Sequence, residues 1–285
     1  MTARRGNENA PAIRIGPRTA AVIVLSALVG LFTFCWPFVL RPGSVRSSDL
    51  APMLFGLLLL LVVAVLVAEI SEGGIDSKAL AMLGVLSAID AALRPLGAGT
   101  AGIEPVFFLL ILAGRVFGPG FGFTLGCTSL FASGFITGGI GPSLPYQMFG
   151  CAFVGLFAGL LPRCRGRLEI LLLAAYGAVA GVGFGFLLNL SFWPFSVDRG
   201  SGTSYLPGAS TATNIQRYLA FDGATSFGWD TGRALTNIIA ILVVGPTVLA
   251  ALRRAARKAA FEAPVTFAPG ANTVPSRRRC DTQVS

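Results

Sequence analysis

Long apolar runs alternate with short polar segments along most of the chain. Each run is close to the roughly 20 residues with which an α-helix crosses the hydrocarbon core of a bilayer. The pattern therefore predicts an all-α, multi-pass membrane protein. Its predicted spans are 19–40, 51–68, 79–93, 104–117, 120–137, 146–161, 168–190 and 232–252.

The amino-acid composition of the predicted spans changes at residue 79, which divides the membrane region into two parts. Residues 19–78 hold two helices rich in Leu and Val, whereas residues 79–252 hold six helices rich in Gly, Ala and Phe. The basic segments 1–18 and 253–285 are predicted to be disordered tails. A long polar loop is predicted over 191–231.

Composition supports the membrane assignment and changes the meaning of the net charge. Hydrophobic residues make up 54% of the chain and charged residues only 12%, with a mean hydropathy of +0.73. Soluble domains carry about 25% charged residues. The net charge of +9 is then explained by arginines on the cytoplasmic side and not by nucleic-acid binding. The same rule predicts that both termini are in the cytoplasm, which places 138–146 and 191–231 outside. We expect the protein to lie in the plasma membrane.

Glycines are spaced by four residues around the break between the fourth and fifth spans. Gly114 and Gly118 precede the break, and Gly122 and Gly126 follow it. Small residues at this spacing allow membrane helices to approach closely. The stretch 107–148 is thus predicted to form a tightly packed helical pair with a shaped loop.

Several kinds of chemistry are excluded by missing residues. The chain has no His, which excludes His-dependent zinc proteases, haem ligation by His and Ser-His-Asp hydrolysis. It has no P-loop motif, and its five cysteines form no C-x-x-C pair. We therefore predict no enzymatic activity, no metal and no cofactor. Energy for any transport must come from an ion gradient or from partner subunits.

The third span carries two ionisable residues and a stripe of small residues. Asp90 and Arg94 are four residues apart, so they are predicted to form an ion pair on one helix face. Gly84, Ala88 and Ala92 recur at the same interval. The stripe fits either close packing within the monomer or docking of a partner membrane subunit.

Polar and aromatic residues near the predicted outer ends of the spans form a candidate site for an organic ligand. The alternative for the aromatic members is a membrane-interface belt. An amide-bearing cluster beneath external loops would suit a polar ligand. The candidate substrate-binding residues are Tyr146, Gln147, Asn189, Trp193 and Asn237.

Four stretches together resemble a known transporter family. They are 86–94 (LSAIDAALR), 113–119 (AGRVFGP), 138–148 (GGIGPSLPYQM) and 189–195 (NLSFWPF). In order and spacing they resemble the substrate-binding S component of an energy-coupling factor (ECF) vitamin transporter. The resemblance covers the six spans of 79–252. The two spans of 19–78 are an addition to the family's six-helix plan.

The resemblance implies partners and a ligand. S components associate with a transmembrane coupling protein and two ABC ATPases, and they deliver a vitamin bound from outside. The family's Ala-x-x-x-Ala motif, which contacts the coupling protein, is matched by Ala88 and Ala92. The ligand would lie under the loops 96–103, 138–145 and 191–231. The sequence most closely resembles the branch of S components that takes cobalamin or its precursors. Riboflavin, thiamine precursors and pyridoxine stay open as alternative ligands.

Two other classes of function stay open at this stage. An ion-coupled secondary transporter of a small organic solute needs acidic residues within the membrane, and Asp90 is the candidate. An intramembrane enzyme would need clustered carboxylates, or a nucleophile with its base. The sequence shows neither of the latter arrangements.

Overall fold

The computed structural model describes residues 12–13, 16–39, 77–97, 101–196 and 201–259. It also describes the helical residues 56–57, 59–61, 63–65, 67–68 and 71. The predicted second span, 51–68, is therefore only partly described. Most of the two predicted tails lies outside the described residues.

The described residues fold into helices without strands, which confirms the predicted all-α class. The helices are α1 (Pro17–Phe34), α2 (Trp36–Val39), α3 (Ser77–Gly97), α4 (Val106–Phe117), α5 (Pro119–Thr137), α6 (Leu144–Leu160), α7 (Arg167–Ser196), α8 (Thr211–Val243) and α9 (Gly245–Ala259).

Several helices are long and apolar enough to cross a bilayer. Four qualify on their own (α1, α3, α5 and α7), and α8 with α9 adds a fifth if the bent pair is one span. Helices α4 and α6 are apolar but shorter. The described residues thus contain four to five helices that could span a membrane, which supports a multi-pass membrane protein. The finer count of eight spans stays a prediction.

The bundle has two distinct ends, which we name for what they carry. The loop end holds the segments 101–105, 138–143 and 201–210, and the arginine end holds 161–166 and the last turns of α9. Lys78 at the start of α3 donates to the Ala259 carbonyl over 2.9 Å, so α3 begins at the arginine end. Phe34 packs on Tyr146 with ring centroids 5.4 Å apart, so α1 finishes at the loop end.

Helix α4 forms the centre of the bundle. All of its residues except Arg115 are buried. Such an all-round apolar surface fits a helix surrounded by others. One of its contacts is the edge-on packing of Phe107 on Phe184 of α7, with centroids 4.7 Å apart. Its length of 12 residues suits a core position better than a lipid-facing one.

The predicted glycine packing is present where α4, α5 and α6 cross. A Cβ at Gly114 or Gly122 would overlap the Gly155 carbonyl, and one at Gly155 would overlap Gly122. A Cβ at Gly126 would contact the backbone of Cys151 and Ala152 at 2.5 Å. The helices therefore meet backbone to backbone, an approach that only residues without a side chain allow.

Substitution of Gly122 by alanine is expected to lower the melting temperature, because the new methyl group meets backbone that cannot rotate away. Overpacking of this kind costs about 1–3 kcal/mol. Gly183→Ala on α7 is the matched control, since no atom lies within 4 Å of its added Cβ. Thermal unfolding in detergent measures both variants. Equal melting temperatures for the two would contradict the crossing.

The region after residue 190 differs from the prediction. Helix α7 continues to Ser196, and α8 begins at Thr211, so most of the predicted loop 191–231 is helical. The Ser210 side chain caps α8 by accepting from the Thr213 amide at 3.1 Å. The predicted last span, 232–252, is also interrupted, because α8 and α9 meet at an angle of 66°.

Candidate functional site

Arg94 of α3 joins three helices at the loop end. Its guanidinium donates to Ser133 Oγ of α5 over 2.8 Å and to Gln147 Oε1 of α6. These bonds replace the predicted ion pair with Asp90. The predicted pair was wrong because the spacing of residues along one helix does not show which hydrogen-bond acceptors the neighbouring helices supply.

Asp90 is fully buried between α3 and α5 without a hydrogen bond in the described part of the chain. The Ser129 hydroxyl interacts with the carboxylate but stays outside hydrogen-bond geometry. Nearby, Ser87 Oγ pairs with Thr128 Oγ1 at 2.7 Å. A buried carboxyl without a partner is costly and is a candidate for function in a membrane helix.

Replacing Asp90 with asparagine is expected to leave the melting temperature unchanged or to raise it. The amide removes an ionisable group that has no hydrogen-bond partner among the described residues. Asp230→Asn is the matched control, because Asp230 accepts from Arg233 Nη1 at 2.8 Å and its variant should melt lower. Thermal unfolding of the two variants side by side is the measurement. An equal loss in both would show that Asp90 is paired in solution.

A second polar cluster links α8 to the 101–105 segment. Arg233 donates to both oxygens of Glu104, at 3.1 and 3.3 Å, and to Asp230. Its guanidinium carbon also lies 5.5 Å from the centre of the Phe184 ring. A Cβ at Gly185 would overlap the Asp230 carboxylate, so α7 and α8 approach closely here.

A third cluster ties the last turns of α7 to α8. Asn189 Nδ2 donates to Asp222 Oδ1 at 2.7 Å and to Ser226 Oγ. The Tyr218 hydroxyl donates to the Phe186 carbonyl. We call this pair of helices, α7 and α8 from about Phe186 to Ser226, the α7–α8 hairpin.

Trp193 anchors an aromatic cluster in the same hairpin. Its ring is fully buried, 5.2 Å from Tyr218, 5.5 Å from Tyr205 and 6.4 Å from Phe38 of α2. The indole Nε1 donates to the Thr203 carbonyl over 2.8 Å. Burial also raises the pKa of the Tyr205 phenol in the 201–210 segment. Trp193 therefore holds the connecting segment onto the helices.

The five predicted ligand residues fall into three groups. Tyr146 and Gln147 start α6 and contact α1 and α3, whereas Asn189 and Trp193 belong to the α7–α8 hairpin. Asn237 is fully buried and donates to the Gly177 carbonyl at 2.9 Å. At about 1.5 Å per residue it lies roughly 16 Å along α8 from the Ser226 partner of Asn189. The first two groups share the loop end, and Asn237 lies deeper.

The cluster of Glu104, Asp230 and Arg233 was not predicted as a unit. In the sequence, the two α8 residues fall at the edge of the segment interpreted as loop. Their spacing of three residues in an uninterrupted helix was the available signal. It was missed because glycines and polar residues of 222–232 are typical of turns.

The small-residue stripe of α3 faces outward. Gly84, Ala88 and Ala92 are exposed, and no atom lies within 4 Å of a Cβ built on Gly84. The opposite face of the helix is buried, with Leu83 and Leu86 in the core. Packing within the described part of the monomer therefore does not use the stripe.

The described residues hold no group of three or more His, Cys, Asp and Glu side chains that could bind a metal ion. No family model, curated protein or solved structure matches the chain. The case for a function consequently rests on the geometry of the bundle and on the sequence resemblance.

Proposed function

We propose that this protein is the substrate-binding S component of an ECF-type ABC importer. It binds a vitamin, with cobalamin or a precursor as the first candidate, from outside the plasma membrane. A transmembrane coupling protein and two ABC ATPases then drive delivery to the cytoplasm. The single observation that carries the proposal is the outward-facing stripe Gly84–Ala88–Ala92 on α3.

The stripe supports a partner helix for steric reasons. Large apolar side chains flank it, since Leu80, Val85 and Ile89 are each about half exposed, at 46%, 57% and 47%. The small residues therefore form a shallow groove next to these bulkier neighbours. A second helix seated there gains close backbone contact, which lipid chains do not provide as well.

The proposed ligand position is the loop end of the bundle. Side chains from four helices and the 101–105 segment supply donors and acceptors there, with Arg94, Gln147, Asn189, Glu104 and Arg233 among them. Glu104 and Arg233 keep 29% and 12% of their side chains exposed, so they are within reach of a ligand. A vitamin rich in amide groups would form hydrogen bonds that replace some of those these residues now make within the protein.

Ligand binding is tested on the purified full chain by thermal shift. Cobalamin is the first probe, followed by riboflavin, thiamine and pyridoxine. We expect one of them to raise the melting temperature at micromolar concentration, since ligand binding to the folded state stabilises it by mass action. Uptake in vesicles that also contain the coupling protein and ATPases should then require ATP. Uptake driven by an ion gradient without ATP would overturn the proposal.

An ion-coupled secondary transporter is the second candidate, and Asp90 is the observation that favours it. Its carboxyl is fully buried and has no hydrogen bond to a described residue, and a group of this kind can bind a coupling proton or cation. Asp90→Asn discriminates between the two proposals. It should abolish solute uptake by a secondary transporter and spare ATP-driven uptake by an S component.

A further inference from the structure

At the arginine end, α7 and α9 border a cavity of about 540 Å³ that is open to the surface. Its size falls within the roughly 300–1,000 Å³ of small-molecule sites. One side of the cavity is charged and the other is apolar. We call it the arginine-lined cavity, and its charged residues are Arg167, Glu169, Arg253, Arg254 and Arg257.

The one carboxylate in this lining is already neutralised. Glu169 is 3% exposed, and it accepts from Arg115 at 2.8 Å and from Arg253 at 2.7 and 2.8 Å. Arg167, Arg254 and Arg257 have no ion pair with a described residue and are exposed. Among the described residues the lining is thus positive, and these three arginines have no carboxylate partner there that would compete with an anion.

The apolar side of the cavity is formed by Ile170, Pro246, Leu249 and Ala250. Helix α9 turns by 66° from α8, buries Leu249 and Leu252, and carries Arg254, Arg257 and Lys258 on its exposed side. A helix with this division of residues is typical of the membrane–water interface. The cavity therefore opens at the depth where lipid head groups lie.

We propose that the arginine-lined cavity binds the head group of an anionic phospholipid. Arg167, Arg254 and Arg257 hold the phosphate, as basic groups at the cytoplasmic surface do for anionic lipids. The apolar side receives the glycerol and the first methylenes of the acyl chains. A free phosphate ion would satisfy only the charged side, so the lipid is the occupant that uses the whole cavity. This site is independent of the vitamin-binding proposal.

The test uses the detergent-solubilised full chain and short-chain lipids by isothermal titration calorimetry. The probes are dioctanoyl phosphatidylglycerol, dioctanoyl phosphatidylcholine and inorganic phosphate. We expect the anionic lipid to bind at least tenfold more tightly than either comparator. Equal affinity for the two lipids, or phosphate binding as tight as that of the anionic lipid, would overturn the proposal.

Two variants with a matched control locate the site. Arg254→Gln with Arg257→Gln should weaken anionic-lipid binding by about thirtyfold, since a basic residue at the surface contributes about a factor of five. Arg163→Gln with Lys258→Gln removes the same charge outside the lining and should weaken it by only a few-fold. Equal losses would show diffuse attraction and refute a defined cavity.

A third variant changes the shape of the arginine-lined cavity without changing its charge. Ala250→Trp fills the apolar side of the cavity from an exposed position, so the fold has room for it. It should weaken anionic-lipid binding at least tenfold while the melting temperature without lipid stays the same. Unaltered binding in this variant would contradict a role for the apolar side.

Discussion

Replacing Ala88 and Ala92 together with leucine is expected to abolish vitamin uptake while ligand binding persists, if the protein acts as the S component that we propose. The two leucines fill the shallow groove on α3 and hold a partner helix away by the length of a side chain. Both positions are exposed in the monomer, so the bundle itself loses no packing. We expect the coupling protein and ATPases to disappear from preparations of the tagged variant, with uptake in cells falling to background.

The matched control places the same kind of bulk on another exposed helix face. Ala175→Leu with Val179→Leu lies on the outward side of α7 at the same spacing of four residues. It should leave uptake and co-purification of the coupling protein intact. Normal uptake by the Ala88→Leu and Ala92→Leu variant would remove α3 as the docking surface. Loss in both variants would indicate general damage to the bundle.

The small-residue stripe of α3, which we propose as a docking surface, was accessible from the sequence because its pattern is local. Residues four apart on a helix share a face whatever the rest of the chain does. Whether that face is buried is a tertiary property, and the sequence left both possibilities open. The outward orientation of Gly84, Ala88 and Ala92 removes packing within the described monomer as an explanation.

The α7–α8 hairpin was missed because polar and apolar residues are mixed on both sides of α8 over 211–231, which lowers the mean hydropathy of the segment. Its exposed side includes large apolar residues such as Leu219 and Phe227, and its buried side is a sparse row that includes Asn214, Tyr218 and Phe221. Their aromatic rings looked scattered in a loop, although they recur at helical spacing. Ser210 followed by this row was the signal of a helix start.

The polar contacts were the least predictable part of the site. Arg94 was assigned to Asp90, the nearest opposite charge in sequence, but its partners come from α5 and α6. Glu104 is the first residue of a predicted span, and its side chain pairs with Arg233, which is far along the chain. Each of these pairings depends on how the helices are arranged around α4. The periodicity of residues within one span does not contain that information.

The largest loss of stability is expected from Glu169→Gln at the arginine end. Glu169 is the shared partner of Arg115 and Arg253, and the side chains of Glu169 and Arg115 are only 3% and 6% exposed. The substitution leaves the Arg115 guanidinium buried beside a neutral amide. Breaking a buried pair in this way costs on the order of 3 kcal/mol, because the remaining charge has neither water nor a counter-ion.

Glu104→Gln is the matched control for this loss, since it removes the same charge from the other cluster of three ionisable residues. The Glu104 side chain is 29% exposed, and its partner Arg233 keeps a second carboxylate in Asp230 at 2.8 Å. Its cost should therefore be below about 1 kcal/mol, as for ion pairs near the surface. Denaturant or thermal unfolding of both variants in detergent measures the difference. If the two melt alike, the Glu169 cluster is hydrated in solution, and Arg115 is not a buried charge.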